Sequence, residues 1–150
     1  MKPFRLPLDK LYIFSAVLSR EKVFMMEVKR VAVLGAGLMG HGIAQVAAQV
    51  AKYEVSLRDV KQEFLDNGMT MIKNSLQSFL KKGTLSEKEV NETLKRIHPT
   101  LDLKEAVADA DLIIEAAPEN VELKKSLYKE VEKFAKKDAL IGSNTSSISI

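Results

Sequence analysis

Three glycines, Gly35, Gly37 and Gly40, follow directly on a buried-strand pattern and constrain this chain more than any other feature. The preceding run, residues 31–34, is continuously apolar, which is typical of a parallel strand covered on both faces. In such a run the first glycine permits a tight turn, the second lets a ligand approach the backbone, and the third lets the next helix pack close to the strand. The sequence therefore predicts a strand, a turn and a helix whose N-terminal amides face an anion.

An acidic residue, Asp59, completes this pattern. It follows the second predicted strand, residues 53–57, and stands 19 positions after Gly40 (59 − 40). A carboxylate at that place accepts hydrogen bonds from the ribose hydroxyls of a dinucleotide and repels a 2′-phosphate, which favours NAD over NADP. Arg58 keeps NADP open as an alternative, and an ordinary surface carboxylate is the structural alternative for Asp59. We predict that NAD is bound by Gly35, Ala36, Gly37, Leu38, Met39, Gly40 and Asp59.

From residue 28 onward, strand and helix patterns alternate, which predicts an α/β fold with a doubly wound parallel sheet of the Rossmann type. Strands are predicted at 31–34, 53–57, 97–101, 111–117 and 139–141, and helices at 38–51, 60–82, from 86 onward, at 103–108 and at 119–136. The second of these helices stops at Gly83, and Ser86 with Glu89 forms a capping-box pattern at the start of the third. Because these two helices stand between the second and third strands, we expect a helical hairpin inserted into the domain.

Composition argues against several classes of function. The chain has no cysteine and only two histidines, His41 and His98, so we expect neither a disulfide nor a metal site. The 23 basic and 20 acidic residues are interleaved along the predicted helices, a pattern that argues against nucleic-acid binding. No apolar run approaches the ~20 residues that a membrane-spanning helix needs, so we expect no membrane partner.

The first 27 residues precede the predicted domain and allow two interpretations. Residues 11–18 are apolar and follow Lys2 and Arg5, a pattern shared with signal and transit peptides. Asp9 interrupts the approach, no small-residue cleavage site follows directly, and an apolar run of eight residues is at the short limit for a signal peptide. We therefore interpret residues 1–27 as an N-terminal extension and residues 28–150 as the domain, and we expect a cytoplasmic location.

The turn and two later runs together resemble the L-3-hydroxyacyl-CoA dehydrogenase family. The first run covers residues 33–45, the second residues 111–124, and the third is Ser-Asn-Thr-Ser-Ser at 143–147. The three runs occur in the order and at the spacing of that family, and the similarity covers about residues 28–150. The cofactor domain of the family also carries an inserted helical hairpin.

This resemblance implies roles that the pattern of residues alone does not give. Glu119 and Lys124 would lie near the nicotinamide half of NAD, with Lys125 as a neighbouring candidate. Ser146 would be the catalytic candidate, hydrogen-bonded to the hydroxyl or keto oxygen of the acyl group, and Asn144 would shape that loop beside the cofactor. The structural alternatives are a helix-start carboxylate for Glu119, a solvated lysine for Lys124 and a helix cap for Ser146.

The family reaction is hydride transfer between C3 of a 3-hydroxyacyl-CoA and C4 of nicotinamide. Its base is a histidine, paired with a glutamate, that follows the serine run; His98 precedes that run and does not match. We expect the chain to be the NAD-binding portion of such a dehydrogenase, without the catalytic histidine and the helical second domain, and therefore inactive alone. An acyl-CoA substrate and a homodimer are the expected partners. The alternative is a stand-alone NAD-binding module without catalysis.

Overall fold

The computed structural model describes residues 27–145, so the predicted extension apart from Glu27, and also Ser146, lie outside the described residues. The strands are β1 Arg30–Leu34, β2 Glu54–Arg58, β3 Ile97–Thr100, β4 Leu112–Glu115 and β5 Leu140–Ser143. The helices are α1 Gly40–Gln49, α2 Gln62–Lys81, α3 Glu87–Lys95, α4 Leu103–Val107 and α5 Val121–Phe134. The alternation predicted from the sequence is confirmed.

The five strands form one parallel sheet in the order β3-β2-β1-β4-β5. The chain moves outward from β1 to β3 and then crosses to β4 on the other side of β1. This reversal places the topological switch point, where α/β folds bind their ligands, between β1 and β4. Leu34 pairs with Arg58 on one side and with Glu115 on the other, so the carboxyl ends of three strands meet there. The predicted doubly wound Rossmann-type fold is confirmed.

The core lies in two clusters, one on each face of the sheet. Val31 and Val33 of β1 pack with α1, α2 and α3, whereas Ala32 and Leu34 pack with α4 and α5. All four side chains are buried, since successive residues of a strand point to opposite faces. Burial on both faces explains why this strand is a continuous apolar run in the sequence.

The predicted helical hairpin is present as α2 and α3, between β2 and β3. Gly83 follows α2 with φ +70°, a conformation that favours glycine. At the start of α3 the Glu89 amide donates to Ser86 Oγ at 3.3 Å, and the Ser86 amide donates to Glu89 Oε2 at 2.8 Å. The backbone amide of Ser86 and, to a lesser extent, its hydroxyl both donate hydrogen bonds to the Glu89 carboxyl, and these bonds lower its pKa below the ordinary value. The predicted capping box is confirmed.

Most element boundaries differ from those predicted by one or two residues. Helix α1 begins at Gly40 rather than at residue 38, because residues 35–39 form the turn. Strand β4 ends at Glu115, two residues before the predicted limit. Helix α5 begins at Val121, since Asn120 caps it by accepting a hydrogen bond from the Leu123 amide at 2.9 Å.

The link between α1 and β2 contains Lys52 in the left-handed region, with φ +61°. Because this conformation costs an L-residue about 1–2 kcal/mol and glycine adopts it freely, Lys52→Gly is expected to raise the free energy of unfolding. The net gain should be about 0.5–1 kcal/mol after the larger entropy loss of glycine. Urea denaturation measures it, with Lys52→Ala as the control that relieves no strain. An equal effect of both substitutions would contradict the explanation.

Candidate cofactor site

A cavity of about 650 Å³ opens at the carboxyl ends of β1, β2 and β4, at the switch point of the sheet. Seven of the predicted cofactor residues lie in its wall: Gly35, Gly37, Leu38, Met39, Asp59, Glu119 and Asn144. Ala36, Gly40 and Lys124 lie outside the wall of the cavity. The fold therefore brings together residues that are up to 109 positions apart in the sequence (144 − 35).

Two glycines of the turn are required by its backbone conformation and by close packing around it. Gly35 has φ +116°, and a Cβ atom there would lie 2.6 Å from the carbonyl oxygen of Ala116. A Cβ at Gly40 would lie 1.7 Å from the carbonyl oxygen of Gly35. Only glycine therefore allows α1 to start so close to the turn, as the sequence pattern predicted.

The third glycine, Gly37, is different because a Cβ atom there would meet nothing within 4 Å. Gly37 itself lines the cavity. The fold gives no packing reason for a glycine at this position. A ligand that closely approaches the backbone does give a reason, and this is the role expected of the second glycine in a dinucleotide-binding turn.

Helix α1 begins without a side-chain cap, since its N-cap residue is Met39. Its first hydrogen bonds are donated by the amides of His41, to Gly37 at 3.3 Å, and of Ile43, to Met39 at 2.9 Å. The amides before them have no carbonyl one helical turn earlier, so an acceptor from outside the helix can satisfy them. The positive end of the helix dipole also favours an anion at this place. The turn thus fits a diphosphate.

Asp59 is fixed beside this turn. Its Oδ2 accepts a hydrogen bond from the Ala36 amide at 2.7 Å, and its Oδ1 accepts one from the Val60 amide at 2.6 Å. The carboxylate is half-buried and lines the cavity. Two carboxylate oxygens offer about four acceptor positions, which leaves room for ribose hydroxyls.

The inserted hairpin contributes to the site in a way that the sequence analysis missed. Gly68, in the middle of α2, brings that helix against the turn, because a Cβ there would lie 2.7 Å from the carbonyl oxygen of Ala36. Phe64 and Asn67 of the same helix line the cavity. A signal was available, since glycine inside a helix costs about 1 kcal/mol relative to alanine and therefore needs a reason in packing.

At the other end of the cavity, Lys124 is buried, with 5% of its side chain exposed. Its Nζ lies 3.0 Å from Glu115 Oε2 and 2.9 Å from Glu119 Oε2. The alternative of a solvated lysine is therefore wrong. Glu119 lies in the wall of the cavity, whereas Lys124 lies behind it. Lys124 thus holds a carboxylate of the wall in place.

The charges of this cluster follow from its contacts. Burial opposes the charge of Lys124, but hydrogen bonds from its ammonium to Glu119 and Glu115 outweigh burial and raise its pKa above the ordinary value. Burial raises the pKa of the Tyr128 phenol, and the nearby Glu115 carboxylate raises it further. A hydrogen bond with Ser143 lowers this pKa, but the net change is upward. At neutral pH the lysine is therefore charged and the phenol is protonated.

The segments that follow β4 and β5 are bonded to each other at this end. The backbone amide of Asn144 donates a hydrogen bond to the carbonyl oxygen of Glu115 at 2.8 Å, and Thr145 Oγ1 donates one to Glu119 Oε1. Glu119, which follows β4, and Asn144, which follows β5, both line the cavity. The next residue, Ser146, lies outside the described part of the chain.

Neither histidine lies in the wall of the cavity. His41 Nδ1 lies 2.7 Å from the carbonyl oxygen of Gly37, and His98 Nε2 lies 2.8 Å from Glu54 Oε2.

Within residues 27–145 no group of three or more His, Cys, Asp or Glu side chains could hold a metal ion. In the same part of the chain, no helix has the length and apolar character needed to cross a membrane.

The family described as "3-hydroxyacyl-CoA dehydrogenase, NAD binding domain" matches residues 30–150. The chain belongs to this family. The chain is thus an NAD-binding domain of the 3-hydroxyacyl-CoA dehydrogenases, and the predicted cofactor, NAD, is confirmed. The resemblance stated from the three sequence runs is confirmed.

Individual relatives of the chain support the same family assignment. A probable 3-hydroxyacyl-CoA dehydrogenase of Caenorhabditis elegans is 42% identical over 130 residues, which are 84% of this chain and 43% of that protein. A probable 3-hydroxybutyryl-CoA dehydrogenase of Deinococcus radiodurans is 47% identical over 118 residues, 79% of this chain and 41% of that protein. The crystal structure of (S)-3-hydroxybutyryl-CoA dehydrogenase from Ralstonia eutropha has 35% identity and a TM-score of 0.79, and the match covers 83% of this chain and 43% of that one. The chain thus spans less than half of each of these proteins.

Proposed function

We propose that this chain is the NAD-binding portion of an oxidoreductase that acts on 3-hydroxyacyl-CoA thioesters. One observation carries the proposal. Gly37, where a Cβ atom would meet nothing within 4 Å, and Asp59 line the same cavity, so one ligand can place its diphosphate on the turn and its ribose on the carboxylate. The remaining wall, with Glu119 and Asn144, then receives the nicotinamide half.

The substrate class and the reaction rest on the relatives and on the runs shared with the family. Bound NAD supplies the acceptor for a hydride from C3 of the substrate. Glu119 and Asn144 border the nicotinamide half, Lys124 holds Glu119 from behind, and Ser146 hydrogen-bonds the oxygen on C3 of the acyl group. An acyl-CoA is the substrate on this proposal, and a homodimer is the proposed assembly.

A stand-alone NAD-binding module is the second candidate, because a module that only binds the cofactor needs no histidine in the cavity. A base must take the hydroxyl proton as the hydride leaves, but His41 and His98 both lie outside the cavity wall. The oxidation of NADH in the presence of acetoacetyl-CoA separates the candidates. An enzyme fragment gains turnover when the helical second domain of a relative is added, whereas a binding module does not.

The preference for NAD is tested at Asp59. Asp59→Asn keeps an oxygen for the Ala36 amide but removes the charge, so the ribose hydroxyls lose a charge-assisted acceptor. We expect NADH affinity to fall about tenfold and the preference for NADH over NADPH to disappear. Calorimetric titration of both nucleotides measures the two effects. Asp66→Asn, at an exposed α2 residue bonded to Gln62, is the matched control. An unchanged preference in Asp59→Asn would refute the assignment.

A further inference from the structure

Glu115, the last residue of β4, has a carboxylate that is completely buried, with 0% of its side chain exposed. It does not line the cavity, and neither the family pattern nor the cofactor assignment gives it a role. We propose that Glu115 is a positioning residue that aligns the nicotinamide end of the cofactor cavity. This inference rests on the proposed function, since it concerns the half of NAD that carries the chemistry.

The carboxylate of Glu115 is the meeting point of four donors. Its Oε2 accepts hydrogen bonds from Lys124 Nζ at 3.0 Å, Tyr128 OH at 3.2 Å and Ser143 Oγ at 2.6 Å. Its Oε1 accepts one from the amide of Ala117 at 2.6 Å. A buried carboxylate is costly unless it is fully bonded in this way, and here the bonds replace the lost water.

These donors belong to three different segments, all of which border the nicotinamide end. Ala117 lies in the cavity wall itself, just after β4. Lys124, from α5, reaches past Glu115 to hold Glu119, another residue of the wall, at 2.9 Å. Ser143 ends β5 and precedes Asn144, also in the wall. One buried charge therefore sets the relative positions of the segments that form this end of the cavity.

The adenosine end is built without Glu115. Asp59 is held by the amides of Ala36 and Val60, and the turn is closed by the Gly35 amide, which donates to the carbonyl oxygen of Arg58 at 2.8 Å. A change confined to the carboxylate of Glu115 should therefore alter contacts to nicotinamide and leave contacts to adenosine diphosphate intact. A residue that only stabilises the fold would not discriminate between the two halves of the cofactor.

Glu115→Gln is the substitution that tests this. Glutamine has the same shape as glutamate, but it has one side-chain oxygen where glutamate has two. Its NH2 group would therefore face a hydrogen-bond donor in place of one of the two carboxylate oxygens. Either the ammonium of Lys124 or the amide of Ala117 would lose its acceptor. The matched control is Asp111→Asn at the opposite end of β4, where the carboxylate also binds backbone amides, of Lys29 and Arg30, and a lysine, Lys136.

The experiment compares NADH with ADP-ribose, which lacks only the nicotinamide, by calorimetric titration of the full chain. Glu115→Gln should lower NADH affinity about tenfold and change ADP-ribose affinity by no more than about twofold. The fluorescence of bound NADH should shift as well, since the reduced nicotinamide ring reports its own surroundings. Asp111→Asn should change neither affinity.

Equal losses for both ligands, or no loss for either, would overturn the inference. The same holds if the wild-type chain binds NADH no better than ADP-ribose, because the nicotinamide would then contribute nothing to the binding affinity. Should Glu115→Gln fail to fold, Ser143→Ala removes one donor and keeps the charge; a loss of about threefold for NADH alone is expected, and any other pattern contradicts the role. Failure of the wild type to bind either ligand would instead refute the proposed function.

Discussion

Gly37→Val is expected to abolish measurable NADH binding while the fold remains intact. A valine side chain would project into the cavity, where it meets no protein atom within 4 Å of its Cβ but occupies the place of the diphosphate. NADH affinity should fall by more than about a hundredfold, because the diphosphate must approach the backbone there. Calorimetric titration measures the loss, and the melting temperature shows that the fold persists.

Gly42→Val is the matched control for this prediction. A Cβ at Gly42 also meets nothing within 4 Å, yet this glycine lies within α1 and outside the cofactor cavity. We expect its NADH affinity to remain within about twofold of wild type, since no ligand contact is touched. If both valine variants bound NADH equally well, the diphosphate could not lie on the turn.

Among the substitutions considered, Lys124→Met is expected to cause the largest decrease in the free energy of unfolding. Methionine fills a similar volume but leaves Glu115 and its completely buried carboxylate without a counter-charge. Removing one partner of a buried ion pair costs about 3–5 kcal/mol, so the free energy of unfolding should fall by about that amount. Urea denaturation at neutral pH measures the change. Lys125→Met is the control, because Lys125 is largely exposed and pairs with exposed Glu122.

The control should cost about 0.5 kcal/mol or less. Equal losses of unfolding free energy in the two variants would show that the buried ion pair stabilises the fold no more than the exposed pair does. The pH dependence gives a second check, because the pKa of Lys124 is raised above its ordinary value of 10.5. The stabilisation is therefore complete below pH 10.5 and is lost as pH rises through the folded-state pKa. The difference between wild type and Lys124→Met should shrink as pH rises through that alkaline range.

The cofactor turn could be predicted from the sequence because its determinants are local. Gly40 packs against the carbonyl oxygen of Gly35 within the turn, Gly35 itself has a positive φ angle, and a short β-α-β unit fixes where Asp59 falls relative to them. The capping box at Ser86 is similarly local. In these places the chemistry that makes the structure lies within one turn or one unit, so the spacing of residues suffices.

The buried cluster at the nicotinamide end could not be predicted in the same way. Its contacts join residues 28 positions apart, Glu115 and Ser143, and they arise only because β4 and β5 are neighbours in the sheet. In the sequence Lys124 stands in a charged helix and has the appearance of a solvated residue. Burial of such a charge depends on the sheet order, which periodicity does not specify.

The contact between Gly68 and Ala36 depends on tertiary packing for the same reason. Helix α2 belongs to the inserted hairpin, and nothing local to it shows which part of the domain it meets. The differing element boundaries have a simpler origin, because caps such as Asn120 decide them by single hydrogen bonds.

A crystal structure of the chain with NADH tests the central assignment most directly. The diphosphate should lie against the backbone amides of residues 37–40, with the adenosine ribose hydroxyls on Asp59 and the nicotinamide between Glu119 and Asn144. NADH bound anywhere else, or a diphosphate that does not touch the turn, would contradict it.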